Sequence, residues 1–299
     1  MTAPSATIVE QALRGDGLCL QVSSFRFLIK SDTGLLSTPL SLLYRDYPWS
    51  VETDGFFDAR IELRKKSGGI GRPKEVEFTW EGNSPLPSLP LSQSHPLFEW
   101  GLNWCLATLC GTEIVIHSAV VERNGRALVL PGDPGSGKST LSAGLCLRGW
   151  RLLSDELTII SVGTGLVQPL PRPISLKDKS IKVIREHFPS AEMTIPVRET
   201  RKGAIAYVKP PFESVSACSR TVPLGHIIFP RYVADAPLVA SPMQRSASLI
   251  RMLENTFNVG LIGAAGFATL ARTVADSVSV ELEYGSLPAA VEWIETHCR

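Results

Sequence analysis

The eight residues Gly132–Ser139, GDPGSGKS, constrain this chain more than any other stretch. They fit the pattern G-x-x-x-x-G-K-[ST]. Glycines at Gly132, Gly135 and Gly137 let consecutive backbone N–H groups turn inward with no Cβ in the way, which makes a nest for phosphate oxygens. Asp133, Pro134 and Ser136 complete the loop, and Thr140 follows it. Lys138 adds a charge that reaches β- and γ-phosphates, and Ser139 offers a hydroxyl to Mg²⁺. A helix opening here aims the positive end of its dipole at the anion. The flanks agree with this reading. RALVLPG before the loop reads as a buried strand, and TLSAGLCLRG after it reads as a helix with Leu141 and Leu145 on one face and Gly149 as its stop. The ligand implied is a nucleoside triphosphate, ATP, with Mg²⁺.

Two acids follow closely. Asp155 and Glu156 come 16 and 17 residues after Ser139, behind a helix stop and a short strand, Arg151 to Leu153. A strand paired beside the one that feeds the loop sets both carboxylates at its C-terminal edge, next to the γ-phosphate. One acid then holds Mg²⁺ while the other accepts a hydroxyl proton. His117, in IHSAVV, lies one strand before the loop strand. The turn between these strands, Asn124-Gly125, is a strong hairpin signal because both residues accept positive φ. A histidine in such a strand is either a satisfied core residue or a partner of the acids.

Composition narrows the alternatives. The 30 basic and 29 acidic residues balance to a net charge of +1, which argues against bulk binding to nucleic acid or an anionic membrane surface. Mean hydropathy is near zero, and no apolar run approaches a membrane span. Six scattered cysteines without a Cys-x-x-Cys pair read as buried free thiols in a reducing compartment, and the start of the chain lacks a secretory pattern, so a cytoplasmic location is expected. The five histidines lack zinc-ligand spacing.

The clearest seam is the proline- and serine-rich run Asn83–Pro96, read as a linker or long connection. Before it, LCLQVSSFRFLIK, FFDARIELRKK and KEVEFTWEG alternate as half-exposed strands, with Gly/Pro-rich turns such as SGGIGRP between them. Two domains are expected: 1–95, β-rich and accessory, and 96–299, carrying the loop. Leu97 to Leu109 reads as a helix ended by Gly111. In PRPISLKDK, Arg172 and Lys177 fit a polyphosphate contact and a plain surface loop equally well. The glycines of NVGLIGAAGF read as close helix packing rather than a second nucleotide site.

His117, GDPGSGKS and then a helix ending in RGWRLLSDE together resemble the catalytic domain of the HPr kinase/phosphorylase family, most of all its HPr-kinase-related kinases (HprK-related kinase A). PLPRPISLKDKSIKVI, TRKGAIAYVKPP and NTFNVGLIGAAGF are similar to the same group, so the likeness spans roughly 97–290 and is strongest over 117–156. It implies an α/β fold, the compact P-loop domain shared with ATP-dependent phosphoenolpyruvate carboxykinase, here behind a β-rich accessory domain. It places Lys138 and Ser139 on phosphate and Mg²⁺, Glu156 as the carboxylate that deprotonates an acceptor serine, Asp155 as its acidic neighbour and His117 as its helper. The family has Asp where this chain has Glu156, which leaves open which acid is the base. Its E-x-R-G signature reads Glu199-Thr200-Arg201-Lys202-Gly203 here, with the glutamate displaced by one. Arg201 and Lys202 then fit either a pair that steadies the triphosphate or its departing charge, or a solvated basic turn, and the phosphorylase direction is not carried over. Family precedent favours homo-oligomers.

The resulting expectation is a Mg-ATP-dependent kinase acting on a hydroxyl, Ser or Thr of a peptide or small protein. The rivals are a small-molecule kinase and a non-catalytic ATP-sensing module.

Overall fold

The computed structural model describes residues 5–66 and 74–298, so the SGGIGRP turn lies outside the described residues. The protein is mixed α/β and divides into two compact units: one comprises 1–109 and 192–209, the other 110–191 and 210–299.

The first unit opens with helix α1 (Ala6–Arg14) and the hairpin β1 (Leu18–Val22) and β2 (Phe25–Ser31), followed by α2 (Ser37–Leu43), β3 (Trp49–Ser50), β4 (Ala59–Lys66), β5 (Glu75–Trp80), β6 (Leu89–Pro90) and α3 (Ser94–Leu109). Its six-stranded sheet has the order β3-β1-β2-β4-β5-β6. The three alternating runs of the sequence are its central strands. On β2, β4 and β5 the buried side chains recur at every second position: Phe27 and Ile29, Ala59, Ile61 and Leu63, then Val76 and Phe78. Helix α3 covers this sheet so closely that a Cβ on Gly101 would stand 2.1 Å from the Phe78 ring. The proline-rich run is therefore not a free linker: it contributes β6, paired to β5, a short 3-10 turn at Leu91–Gln93 and the start of α3.

The second unit begins with the long strand β7 (Ile114–Arg123), which turns at Asn124 (φ 55°) and Gly125 (φ 77°) into β8 (Arg126–Pro131). Then come α4 (Lys138–Leu147), β9 (Arg151–Ser154), β10 (Leu157–Ile160), β11 (Leu166–Gln168), β12 (Ile174–Lys177) and α5 (Lys179–His187). The chain returns to the first unit for the hairpin β13 (Val197–Thr200) and β14 (Gly203–Val208). There Gln93 donates to the Glu199 carbonyl (3.0 Å), Arg45 pairs with Glu192 (2.6 Å) and Lys209 pairs with Asp46. The units thus part at 109/110 rather than at the expected 95/96, because α3 packs on the first sheet and 192–209 rejoins it.

The rest of the chain completes the second unit with α6 (Phe212–Ser216), β15 (Val222–Tyr232), β16 (Val239–Pro242), α7 (Arg245–Glu254), α8 (Val259–Ala275), β17 (Val278–Tyr284) and α9 (Leu287–His297). Its main sheet has the order β11-β10-β7-β8-β15-β17-β16, with β11 also pairing back onto β15. Ile116, Val120, Val129, Leu153, Ile227, Phe229 and Leu270 belong to its buried core.

Strand β9 does not pair with β8, as the sequence suggested, but with β7, which lies between them. The loop-feeding strand β8 takes β15 as its other neighbour, in parallel. Because β7 is antiparallel to both β8 and β9, these two run in the same direction and their C-terminal ends open on the same edge, where α/β sheets bind ligands.

Among the described residues no helix is long and apolar enough to cross a membrane. The six cysteines are free. All but Cys218 are buried, and burial pushes the Cys110 thiol up to about 11.

Candidate functional site

The glycine-rich loop leaves β8 and enters α4 at Lys138. Gly132, Gly135 and Gly137 hold φ of 148°, 91° and 100°, a backbone region costly for any side chain. At Gly137 space is also decisive, since a Cβ would meet the Tyr284 hydroxyl at 2.2 Å. At Gly135 a Cβ would meet nothing within 4 Å, so the loop is open there. Tyr232 donates its N–H to the Ser136 carbonyl (3.1 Å), and the Tyr284 hydroxyl donates to the Gly137 carbonyl (3.4 Å). These tyrosines back the loop from β15 and β17, and no local sequence signal marks them. Lys138 is buried and its ammonium donates to the carbonyls of Gly132 and, at 3.0 Å, Asp133. Burial lowers its proton affinity, while Glu156 and Asp155 raise it in opposition. Thr140 sits in the first turn of α4.

Asp155 and Glu156 occupy the bend between β9 and β10, and their environments differ. Asp155 is buried. It accepts from the Ser142 hydroxyl (2.8 Å) and the Ser175 N–H (3.0 Å). Burial, helped by the charge of Glu156, overrides these bonds and pushes its carboxyl up to about 6. The Glu156 side chain is 33% exposed, and its Oε2 lies 3.8 Å from His117 Nδ1. His117 pairs in register with Leu157, which follows Glu156, so β10 brings the acid to the histidine. Burial holds the imidazole below its usual proton affinity, with Glu156 pulling the other way and Lys138 adding to the depression.

Ser142 and Ser175 were not singled out in the sequence. Ser142 is the buried hydroxyl one turn after Ser139 on an otherwise apolar helix face, which is a readable signal; Ser175 contributes only its backbone, which is not.

Lys177 ends β12 in this same unit, and its charge is felt at both Lys138 and His117. Arg172 is buried. Arg201 and Lys202 are exposed on the β13–β14 turn of the first unit, where the Lys202 ammonium lies 5.0 Å from the Trp100 ring centre. The second unit thus gathers the loop, Ser139, Asp155, Glu156, His117 and Lys177.

NVGLIGAAGF departs in part from its expected role. Gly266 does serve close packing, since a Cβ there would stand 2.3 Å from Ile262 across the kink, whereas Gly260 and Gly263 would each place a Cβ in open space and do not seat a neighbouring helix. Gly263 (φ 57°, ψ −153°) instead kinks α8 in a conformation essentially confined to glycine. Phe257, Val259, Leu261 and Phe267 are exposed on this segment, and the Phe257 ring lies 5.7 Å from that of His117.

The donor set bears on Mg²⁺. Two carboxylates and a hydroxyl are hard oxygen ligands, and Mg²⁺ typically takes one or two carboxylates and completes its shell with water and substrate phosphates. Among the described residues no group of three or more His, Cys, Asp or Glu is arranged to hold a metal ion, so such a site depends on phosphate oxygens. The residues present fit that kind of metal. No protein-family model matches the chain, and no curated protein is significantly similar to it.

Proposed function

We propose that this protein is a Mg-ATP-dependent kinase that transfers the γ-phosphoryl group to a hydroxyl, a serine or threonine of a peptide or small protein. The observation that carries the reading is the unequal acid pair beside the loop: one carboxylate buried and bonded to the Ser142 hydroxyl and the Ser175 N–H, the other accessible and facing a histidine. Phosphoryl transfer needs those two functions separated.

In this reading the loop N–H groups and Lys138 hold the β- and γ-phosphate oxygens, and the helix dipole of α4 adds to their pull. Ser139 and Asp155 would hold Mg²⁺, which would supply positive charge against the triphosphate. Ser142 on α4 bonds Asp155 to the first turns of that helix, at whose start Ser139 stands. Glu156 accepts the proton of the acceptor hydroxyl. The new O–P bond forms as the bond to the β-phosphate oxygen breaks, and ADP leaves with that electron pair. His117 faces Glu156 and orients its carboxylate. The fold type that suits this chemistry is a P-loop domain like that of HPr kinase and phosphoenolpyruvate carboxykinase.

The test is transfer from γ-labelled ATP with Mg²⁺ to a peptide library and, in parallel, to a metabolite panel. Label on peptide serine or threonine supports the reading, and label on a metabolite reassigns the acceptor. A protein that binds ATP and labels neither, with cellular function that survives Asp155→Asn with Glu156→Gln but not Lys138→Ala, is a sensor rather than a kinase.

A further inference from the structure

Sheet order gives the glycine-rich loop two unlike sides. Strand β8 feeds the loop, with β7 on one side and β15, then β17, on the other. The groups assigned to the γ-phosphate lie on the β7 side. His117 is on β7 itself, and Asp155 and Glu156 join β9 to β10, both of which pair with β7. A nucleotide whose γ-phosphate lies toward these acids extends its nucleoside to the other side of β8, toward β15. Strands β15 and β17 run parallel to β8, so their C-terminal ends reach the edge where the loop stands.

Two tyrosines end those strands in register with each other, Tyr232 on β15 and Tyr284 on β17. Their ring centres are 5.8 Å apart and their planes are inclined by 64°. Tyr284 is buried and its hydroxyl is spent on the Gly137 carbonyl. Tyr232 stands as close to the loop. Its N–H is bonded to the Ser136 carbonyl, and a Cβ built on Gly137 would lie 3.3 Å from the Tyr232 Cβ. The chain beyond it is also tied down, since the Val233 N–H donates to the Tyr284 carbonyl (3.0 Å). Tyr232 thus starts from a fixed point on the rim of the loop, and it remains 47% exposed.

We propose that Tyr232 is the platform on which the nucleobase of the bound triphosphate stacks. The inference rests on the reading of the loop as a triphosphate cradle with its γ end toward the acids. Every base has a π-face that an aromatic ring can take, and a tyrosine on a fixed backbone has only two χ angles to order when it does so. The ring is uncharged, so it acts on the base and leaves the phosphates to the loop.

The test is calorimetric binding of Mg-ATP and of inorganic tripolyphosphate to the full chain, to Tyr232→Leu and to Tyr232→Phe. Both substitutions keep the backbone N–H that bonds Ser136. The expected result is a loss of affinity for Mg-ATP of about 10- to 100-fold in Tyr232→Leu, the range of one aromatic stack, with tripolyphosphate bound as before and both affinities kept in Tyr232→Phe. Retained tripolyphosphate binding also shows that the leucine variant is folded. Tyr232→Trp gives a second reading on a chain that keeps a ring: Mg-ATP should quench the added indole fluorescence and tripolyphosphate should not. The proposal is overturned if Tyr232→Leu binds Mg-ATP as tightly as the unsubstituted chain, if it loses both probes together, if phenylalanine does not preserve Mg-ATP binding, or if the added indole is not quenched. If the unsubstituted chain binds neither probe, the triphosphate reading itself fails.

Discussion

Two charged clusters of the second unit meet β7, one through Glu122 and one through His117, five residues or about 17 Å earlier along the strand, and they are built on opposite plans. At one end Glu122 is buried against Arg151 (2.6 Å) and Arg220 (3.0 Å), and it also accepts the Gly125 N–H (2.7 Å). The remaining Arg151 donors go to the carbonyls of Ala217 and Arg220. Burial alone works to raise the Glu122 carboxyl, but the Arg151 bond, the Gly125 N–H and both guanidinium charges bring it below the usual range. At the other end Asp155 is equally buried, and its partners are a hydroxyl and one amide N–H. Lys138 directs its ammonium to loop carbonyls. In the first cluster the buried carboxylate and the buried guanidinium of Arg151 meet charged or carbonyl complements. The second is held by neutral groups, so its charges remain in want of partners. Perturbed groups of this kind mark functional sites, whereas completed ion pairs mark structural ones.

The comparison can be broken at either end. Glu156→Gln should lower phosphoryl transfer about 10²- to 10⁴-fold, the typical range for a general base, with Tm unchanged because the side chain is partly exposed. Steady-state transfer assays and thermal unfolding check this, and a variant that transfers normally assigns the base elsewhere. Arg151→Met should destabilise the fold by about 3 kcal/mol by leaving Glu122 buried beside a single, mostly exposed guanidinium, while the affinity of the folded fraction for Mg-ATP stays the same. Urea unfolding and calorimetry measure the two quantities.

Asp155→Asn sharpens the contrast, because it should remove transfer activity and stabilise the ligand-free protein. The asparagine amide oxygen can take the Ser175 N–H while its NH₂ donates to Ser142. In the native chain the carboxyl protonates near 6, against 3.8 for the ordinary group, so the folded state binds the proton more tightly. Native stability is therefore lost as pH rises from about 4 to about 6, and the gain in Asp155→Asn should grow over that window to at most about 3 kcal/mol. Unfolding curves for both proteins at pH 4 and pH 8 test the sign. A gain that shrinks with rising pH contradicts it. The smallest effect is expected for His117→Asn, a fall in transfer on the order of ten-fold with a shifted pH profile and intact ATP binding, since His117 acts through Glu156.

Much of the local structure is legible in consecutive residues. Asn124-Gly125 states its own hairpin, because few other pairs accept two positive φ angles in succession. Alternation in FRFLIK and ARIEL announces one buried face. The spacing from Gly132 to Ser139 carries the loop and the start of α4 with it. The partner of β9 is not legible, since the short run Arg151–Leu153 pairs with either neighbour until the rest of the sheet chooses. Nor is the use of Gly260 and Gly263, because a small residue fits both a packed helix crossing and an exposed kink.

By itself, then, the amino-acid sequence determined that a glycine-rich loop follows a buried strand, opens a helix and is followed shortly by two acids. These are properties of turn chemistry and periodicity within some 25 residues. Tertiary structure alone decided what distinguishes the acids. Ser142, Ser175 and the buried position of Asp155 come from α4 and β12 folding over β9, while β10 leaves Glu156 in the open beside His117. Burial and distance set the chemistry of a carboxylate or an ammonium, and both arise only when segments remote in the chain meet.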